Sequence, residues 1–281
     1  MLDVDEMPKE GYNLKKAMEA GKMGNQLLWG LLTGRLPQEQ DAGAAVMFSR
    51  MYMAGFCVLS FQVNLKKRTS QVPDEETLER EFIPVAESFA DSRTTCSACT
   101  DGLGRILVLV TFAARRDYDE TEIRRRCERI RQTLSDLAAA PVICGAGGFV
   151  ICYEMLPFSR QEALLDMFRD EAGRTVRQII RYIDEHYEEP GLTIRDISDS
   201  TFMNYSYMCT AFHREMGITL NRYIRIFRMR KALEEMGNAG VSIQVAALKA
   251  GYDDPKYFTK SFKRELVLTP GLYLKRVSHL P

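Results

Sequence analysis

The feature that most constrains this chain is a helix with a sharply marked start in residues 251–264. Asp254 is a good N-cap, because its carboxylate can accept a hydrogen bond from a free backbone N–H of the first turn. Pro255 follows at the first helical position, where a missing N–H costs nothing. Helical spacing predicts a buried face made of Tyr257, Phe258, Ser261 and Phe262. The opposite face, which suits the major groove of DNA, would carry Lys256, Thr259, Lys260 and Lys263.

A shorter helix is predicted immediately before this one. Ser242 can cap it, and it would run to Ala250 with small alanines on its inner face. Gly251 supplies a tight turn between the two helices. A helix, a short turn that contains Gly and a second helix form the outline of a helix-turn-helix unit.

The same pattern occurs upstream. Thr193 and Asp196 form a T-x-x-D capping box for a short helix, and Asn204 can cap the helix that follows. The inward side chains of that second helix are predicted to be Tyr207, Met208, Ala211 and Phe212. The outward ones are predicted to be Ser206, Cys209, Thr210, His213 and Arg214. A helix over residues 219–236 would join the two units and span roughly 27 Å at about 1.5 Å per residue. That length is close to the ~34 Å between successive major-groove faces on one side of a duplex.

At these positions residues 174–277 resemble the double helix-turn-helix DNA-binding domain of AraC/XylS-type transcription regulators. The matching residues are Tyr207, Met208, Phe212, Gly217, Tyr223, Arg228, Ala232, Ser242, Ile243, Gln244, Gly251, Tyr252, Asp254, Tyr257, Phe258, Phe262, Lys263, Thr269 and Pro270. The departures from the usual pattern are Ser198, Val245, Ala246 and the turn at residues 266–268, which lacks its usual glycine.

The resemblance implies double-stranded DNA as a partner and RNA polymerase as a further one. It implies DNA contacts at Tyr205, Ser206, Cys209, Thr210, Pro255, Lys256, Thr259, Lys260 and Lys263. Lys263 and Arg225 are candidates for phosphate contacts. The charge distribution supports this assignment, although the whole chain is formally neutral. Residues 174–281 hold 17 Lys and Arg against 12 Asp and Glu, a net charge of +5, whereas residues 1–173 carry −5.

The N-terminal half predicts an α+β domain. Residues 13–33 favour an amphipathic helix, and residues 55–63 a strand. A helix over residues 74–90 must be kinked or divided by Pro84. Strands at residues 94–99 and 105–112 form a hairpin across residues 101–104. A helix at 119–139, a strand at 141–150 and a helix capped by an S-x-x-E box at Ser159 and Glu162 complete the pattern. The order β-α-β-β-α-β predicts a mixed sheet with helices on one side.

This order resembles the degenerate GGDEF-like domain that precedes the DNA-binding domain in many AraC-type regulators. The matching features are the Asp101-Gly102 hairpin, the strand end at residues 144–147 and residues 159–163. Active diguanylate cyclases resemble it too, but their hairpin carries acidic metal ligands. Here the hairpin has one carboxylate, whereas two Mg²⁺ ions need more oxygen ligands. We therefore expect no enzymatic activity, with a nucleotide-binding signalling enzyme of diguanylate-cyclase type as the alternative.

Cysteine and histidine usage predicts neither a metal site nor a cofactor. Cys96 and Cys99 form a lone C-x-x-C without a second pair, which favours two buried or half-buried thiols in a strand. The seven cysteines of the chain suit a reducing cytoplasm. No run of residues approaches the ~18 consecutive apolar residues of a membrane span, and the acidic N-terminus does not predict a signal peptide. The expected localisation is cytoplasmic.

Three regions follow from the pattern: residues 1–40 as an N-terminal helical connector, 41–172 as the GGDEF-like α+β regulatory domain and 173–281 as an all-α double helix-turn-helix domain. The predicted function is sequence-specific transcription regulation, with signal input or homodimerisation in the N-terminal half. A pure assembly module whose basic helices bind proteins is a further alternative. The effector, the operator and the direction of regulation are not encoded in these patterns.

Overall fold

The structure is a computed structural model, and it describes residues 25–34, 55–64, 73–237 and 240–278. The N-terminal part is built on a sheet of four strands in the order β2-β3-β1-β4. These strands are β1 (Gly55–Val63), β2 (Thr94–Thr100), β3 (Arg105–Phe112) and β4 (Val142–Ala146). All three pairings are antiparallel, so the prediction of a mixed sheet is wrong. The reason is that each helical crossover skips a strand: β3 lies between β1 and β2, and β1 lies between β3 and β4.

Besides short 3-10 turns at Arg115–Asp117 and Tyr153–Met155, four longer helical segments accompany the sheet in the described residues. They are α1 (Asn25–Thr33), α2 (Glu75–Thr77, Leu78–Phe82 and Ile83–Glu87), α3 (Glu120–Ala138) and α4 (Leu156–Glu171). The predicted division of α2 at Pro84 takes the form of a π-helical turn, Leu78–Phe82, just ahead of the proline. Because Pro84 has no N–H to donate, the wider turn absorbs the break in the hydrogen-bond ladder. The part of the predicted 13–33 helix that lies before residue 25 falls outside the described residues.

Helices cover both faces of the sheet, not one as predicted. Neighbouring residues of a strand point to opposite faces, and Ser60 and Phe61 show what each face contacts. The Ser60 hydroxyl donates to the carbonyl of Ala163 in α4 at 2.9 Å. On the side of Phe61, its strand neighbour Cys144 lies beside Cys127 of α3. Helix α1 packs against β2 and α4, and Leu28, Leu31 and Leu32 are buried there.

The start of α4 differs from the prediction. The helix begins at Leu156, and Ser159 lies inside it as a fully buried residue. Its hydroxyl accepts a hydrogen bond from the Val58 N–H at 3.0 Å and donates to the Gly148 carbonyl at 2.9 Å. The predicted capping box at Ser159 is therefore wrong, because this hydroxyl joins the helix to the sheet and does not cap the helix.

The predicted hairpin between β2 and β3 is confirmed. The Asp101 carboxylate accepts the Leu103 N–H at 2.9 Å and forms an ion pair with Arg105, so it holds the turn closed. The prediction for the C-x-x-C pair is also confirmed, because both residues lie in β2 with Cys99 buried and Cys96 half-buried. Burial raises the pKa of the Cys96 thiol to about 11 and that of Cys99 to about 12.

The C-terminal part is entirely helical in the residues described. It consists of α5 (Arg174–His186), α6 (Ile194–Thr201), α7 (Tyr205–Met216), α8 (Leu220–Met236), α9 (Ile243–Lys249), α10 (Pro255–Leu266) and α11 (Pro270–Val277). We call α6 and α7 the first unit, and α9 and α10 the second unit. Helix α8 joins them and packs against α7, α9 and α10. None of the helices in the described ranges is long and apolar enough to cross a membrane.

The two parts of the molecule are in direct contact through paired charges. Glu162 of α4 forms an ion pair with Arg230 of α8, and both side chains are largely buried. Arg230 also donates to the Phe149 carbonyl at 3.1 Å. A second ion pair joins Glu154 of the α+β part to Arg276 of α11 at 3.2 Å. Helix α8 therefore contacts the α+β part as well as both helix-turn-helix units.

Candidate nucleic-acid interface

The predicted N-caps are present at the start of α7 and α10, the second helix of each unit, which we call the recognition helices. Asn204 accepts the Tyr207 N–H at 3.1 Å at the start of α7. Asp254 accepts the Lys256 N–H at 2.8 Å at the start of α10, with Pro255 at the first helical position. In the scaffold helices, the Thr193 and Asp196 box closes the start of α6 as predicted. The Ser242 hydroxyl accepts the Val245 N–H at 3.2 Å at the start of α9.

The two recognition helices repeat each other at an offset of 50 residues. Position by position, residues 205–220 and 255–270 are buried and exposed in the same order except at Cys209 and Thr259. Met208, Ala211 and Phe212 face the core in α7, and their equivalents Phe258, Ser261 and Phe262 do so in α10. The outward residues therefore correspond as well, so each unit presents one equivalent stripe to solvent.

In the first unit, Tyr205, Ser206 and Thr210 are exposed as predicted. Cys209, predicted to be exposed, is half-buried against the core, so its predicted exposure is wrong, whereas its predicted DNA contact stays a prediction. Tyr207, predicted to be inward, is 56% exposed. It lies about 100° around the helix from the buried Met208, which places it outside the arc that the core covers.

In the second unit, Pro255, Lys256, Thr259, Lys260 and Lys263 are all exposed. The Thr259 hydroxyl donates to the Pro255 carbonyl at 2.8 Å. The three lysines have no ion-pair partner among the described residues, so their charges are available to a ligand. Tyr257 was predicted to be buried, which is wrong: it is 53% exposed, like its equivalent Tyr207. Sequence spacing placed both tyrosines in the buried stripe because each is next in sequence to a fully buried residue, Met208 or Phe258.

Two arginines of α8 contact the second unit, and one of them also binds the segment that follows α5. Arg228 is buried and donates to the carbonyls of Tyr187 at 2.9 Å and Glu189 at 2.6 Å. Its guanidinium also lies 5.6 Å from the centre of the Tyr252 ring. Arg225 pairs with the buried carboxylate of Glu265 at 2.5 Å. Arg225 is thus a link between α8 and α10, and the expectation of a phosphate contact from it is not supported by this geometry.

Residues 197–276 match the model of a family described as a helix-turn-helix domain. The uncharacterized HTH-type transcriptional regulator YisR of Bacillus subtilis (strain 168) is 31% identical over 105 residues, which are 37% of this chain and 36% of that protein. The melibiose operon regulatory protein of Escherichia coli (strain K12) is 29% identical over 100 residues, 36% of this chain and 33% of that protein. The chain thus covers about a third of the length of these relatives.

Among solved structures, the C-terminal domain of AraT, a response regulator from Geobacillus stearothermophilus, is similar with 26% identity and a TM-score of 0.36. The similarity covers 37% of this chain and 85% of that one. The match to the family model lies in the helical part, and none of these matches supports the GGDEF-like resemblance of residues 41–172, which stays a prediction. The family model spans both units, from within α6 to within α11. Residues 197–276 form a helix-turn-helix DNA-binding domain of the AraC type.

Proposed function

We propose that this protein is a sequence-specific transcription regulator whose helices α7 and α10 enter adjacent major-groove segments of one duplex. The observation that carries the proposal is the repeat of two capped helices with equivalent exposed stripes, both joined to α8. Helix α8 has 17 residues, or roughly 25 Å at about 1.5 Å per residue. That length suits two helices that occupy neighbouring turns of a groove on one face of the DNA.

The two stripes differ in chemistry, and we propose different roles for them. Lys256, Lys260 and Lys263 can donate to phosphates or to guanine O6 and N7. Ser206 and Thr210 can offer only single hydrogen bonds or apolar contact to base edges. Tyr205 and Tyr207 add exposed aromatic hydroxyls to the first stripe. The second unit therefore supplies most of the electrostatic affinity, and the first unit adds discrimination with little charge.

For the N-terminal half we propose a regulatory role without catalysis, in the division 1–40, 41–172 and 173–281. Asp101, the acidic residue of the hairpin, is already committed to the Leu103 N–H and to Arg105. This supports a structural role for the hairpin over metal binding. Homodimerisation through this half and contact with RNA polymerase are further parts of the proposal. Since helices cover both sheet faces, self-association would use helix surfaces or the edges of β2 and β4.

A selection from randomised duplex DNA tests the proposal. The wild-type protein is expected to enrich one bipartite sequence, with affinity that falls steeply as salt rises. Lys260→Glu should abolish enrichment, whereas Arg80→Glu, at an exposed position on α2 of the α+β part, should leave the selected sequence unchanged. Equal binding to selected and random DNA by the wild-type protein would refute sequence-specific recognition.

A further inference from the structure

A cleft of about 960 Å³ lies between the α+β part and the helical part. One wall is formed by the turn at Arg115–Asp117, residues 146–149 and α4. The other wall is formed by α8, with Tyr273 of α11 beside it. Small-molecule sites are concave, occur preferentially at domain interfaces and have volumes of about 300–1,000 Å³. The cleft therefore has the size and the position of a ligand site.

The charges in the cleft are unevenly matched. Six cationic side chains line it: Arg115, Arg116, Arg124, Arg169, Arg230 and Lys231. The last four are each paired with a carboxylate, among them Arg230 with Glu162 and Lys231 with Glu234. Arg115 and Arg116 have no carboxylate within ion-pair distance in the described part of the chain. The adjacent Asp117 instead accepts the Ala114 N–H at 2.9 Å.

Aromatic rings supply the apolar surface beside these two arginines. The Arg115 guanidinium lies 4.4 Å from the ring centre of Phe149 and 5.2 Å from that of Tyr118. Those two rings are themselves 5.0 Å apart. Across the cleft, Tyr223 and Phe227 of α8 stack at 6.3 Å. The stacking orients Arg115 before any ligand arrives, which reduces the entropy cost of binding.

We propose that this cleft binds a small organic anion: a carboxylate or similar group on a flat apolar body. The anionic group would lie against Arg115 and Arg116, where it would gain the charge partner that those residues lack. The apolar body would lie between the aromatic pair Tyr118 and Phe149 and the face of α8 that carries Tyr223 and Phe227. Binding needs both features, so neither a simple inorganic anion nor a neutral aromatic compound would satisfy the site.

Such a ligand would act on DNA binding through α8, and this step rests on the proposed function. Tyr223 and Phe227 line the cleft, while Arg225 on the same helix pairs with Glu265 of α10 and Arg228 lies against the Tyr252 ring in the turn of the second unit. A ligand between α4 and α8 changes the free energy of the contact that Glu162 and Arg230 make there. Occupancy of the cleft is thereby coupled to the placement of both recognition helices.

Equilibrium dialysis of the full chain without DNA tests the site directly, with 2-naphthoate as the probe and 2-naphthylmethanol as its neutral counterpart. We expect one equivalent of 2-naphthoate to bind saturably and the alcohol to bind about tenfold more weakly. The double variant Arg115→Gln/Arg116→Gln should lose about tenfold for the acid, whereas Arg93→Gln, an exposed arginine outside the cleft, should match the wild type. Absence of saturable binding, equal affinity for acid and alcohol, or an unaffected double variant would each overturn the site.

The coupling is tested separately by titration of labelled DNA with and without saturating 2-naphthoate. The expected result is at least a threefold change in Kd for the wild-type protein, and the double variant should need about tenfold more 2-naphthoate for the same change. If the Kd is unchanged while the dialysis shows binding, the coupling is refuted and the ligand site stands. If the protein binds no specific DNA at all, the proposed function fails, and the dialysis result still decides the site.

Discussion

The two helix-turn-helix units need the same left-handed backbone at the same two turns, but they place glycine differently. At the turn between their two helices, the first unit has Phe202 with φ of 55° and the second has Gly251 with φ of 79°. At the end of the recognition helix, the first unit has Gly217 with φ of 69° and the second has Val267 with φ of 65°. Each unit thus has one relaxed turn and one strained turn, in opposite places.

The surroundings explain why the turn between the two helices needs glycine in the second unit but not in the first. A Cβ at Gly251 would lie 2.2 Å from the Tyr187 carbonyl oxygen and 2.9 Å from Arg228, so packing excludes any side chain. Phe202, in contrast, is 96% exposed, and its side chain displaces nothing. A Cβ at Gly217 would meet nothing within 4 Å, so that glycine serves the backbone angle alone. The left-handed backbone that the two units share thus tolerates a side chain at the surface, but not at a position packed against another segment.

The largest effect is expected for Gly251→Ala. The substitution adds left-handed strain of about 1 kcal/mol and forces Arg228 or the Tyr187 carbonyl to move, for a total loss of about 3 kcal/mol or more. The matched control is Gly217→Ala, which adds the strain without the clash and should cost about 1 kcal/mol. Urea unfolding of both variants gives the two values. Equal losses would show that the contact with Tyr187 is not what requires glycine.

The next largest effect is on base recognition, which should change at different base pairs for the two units. Lys260→Ala and Thr210→Ala should each cost roughly 1–3 kcal/mol of binding to the specific site and relax preference at one or two base pairs. The positions affected should lie in different halves of the site, since the two residues are equivalent members of the two stripes. Selection from randomised sites with each variant is the measurement. Lower affinity with unchanged preference in both variants would mean that these helices do not distinguish bases.

Relief of the strained turns should stabilise the protein. Phe202→Gly and Val267→Gly each remove a side chain from a left-handed position, which relieves strain in the folded state. The greater conformational freedom of glycine in the unfolded chain offsets part of this gain in stability. The β-branched Val267 is the more strained of the two, so we expect a gain of about 1 kcal/mol there and somewhat less at Phe202. Thermal unfolding of the two variants gives the values. A loss of stability at position 267 would contradict the role assigned to strain.

The smallest effect concerns the salt dependence of DNA affinity. Lys263→Ala should weaken binding to all sequences similarly and reduce the slope of log K against log salt by about one unit, because one phosphate contact is lost. Ser206→Ala on the exposed stripe of the first unit removes no charge and should leave the slope unchanged. Titrations at four or five salt concentrations measure both. Equal slopes for the wild type and Lys263→Ala would show that Lys263 does not contact a phosphate.

Local chemistry made the helical part predictable from the sequence. The caps at Asn204, Asp254 and Ser242 act within three residues of themselves, so their motifs suffice to place the helix starts. The hairpin at Asp101 is local in the same way. The sheet order was not predictable, because it depends on pairings between distant strands. Ser159 was misassigned for a similar reason, since its hydroxyl bonds to Val58, which is 101 residues away.

The site was predictable in outline but not in its supports. Helical spacing identified the exposed lysines of α10, yet it placed Tyr207 and Tyr257 inside because a residue at the edge of a buried arc looks apolar in sequence. Arg225 looks like a DNA contact in a basic helix, and only the position of Glu265 shows that its charge is already used. A cleft between segments that are distant in sequence produces no periodic residue pattern. The sequence therefore did not indicate Arg115 and Arg116 as candidate ligand-binding residues.

Helix α8 has a consequence for the operator that concerns rotational phasing. Because both units pack on one helix, their recognition helices keep a fixed angle to each other. About 5 extra base pairs between the half-sites would turn one of them to the opposite side of the duplex, since a turn contains about 10–10.5 base pairs. A full-turn insertion would restore the angle but move that half-site ~34 Å further away. Operators of this protein should therefore tolerate neither insertion, unlike those of regulators whose DNA-binding units are joined by flexible chain.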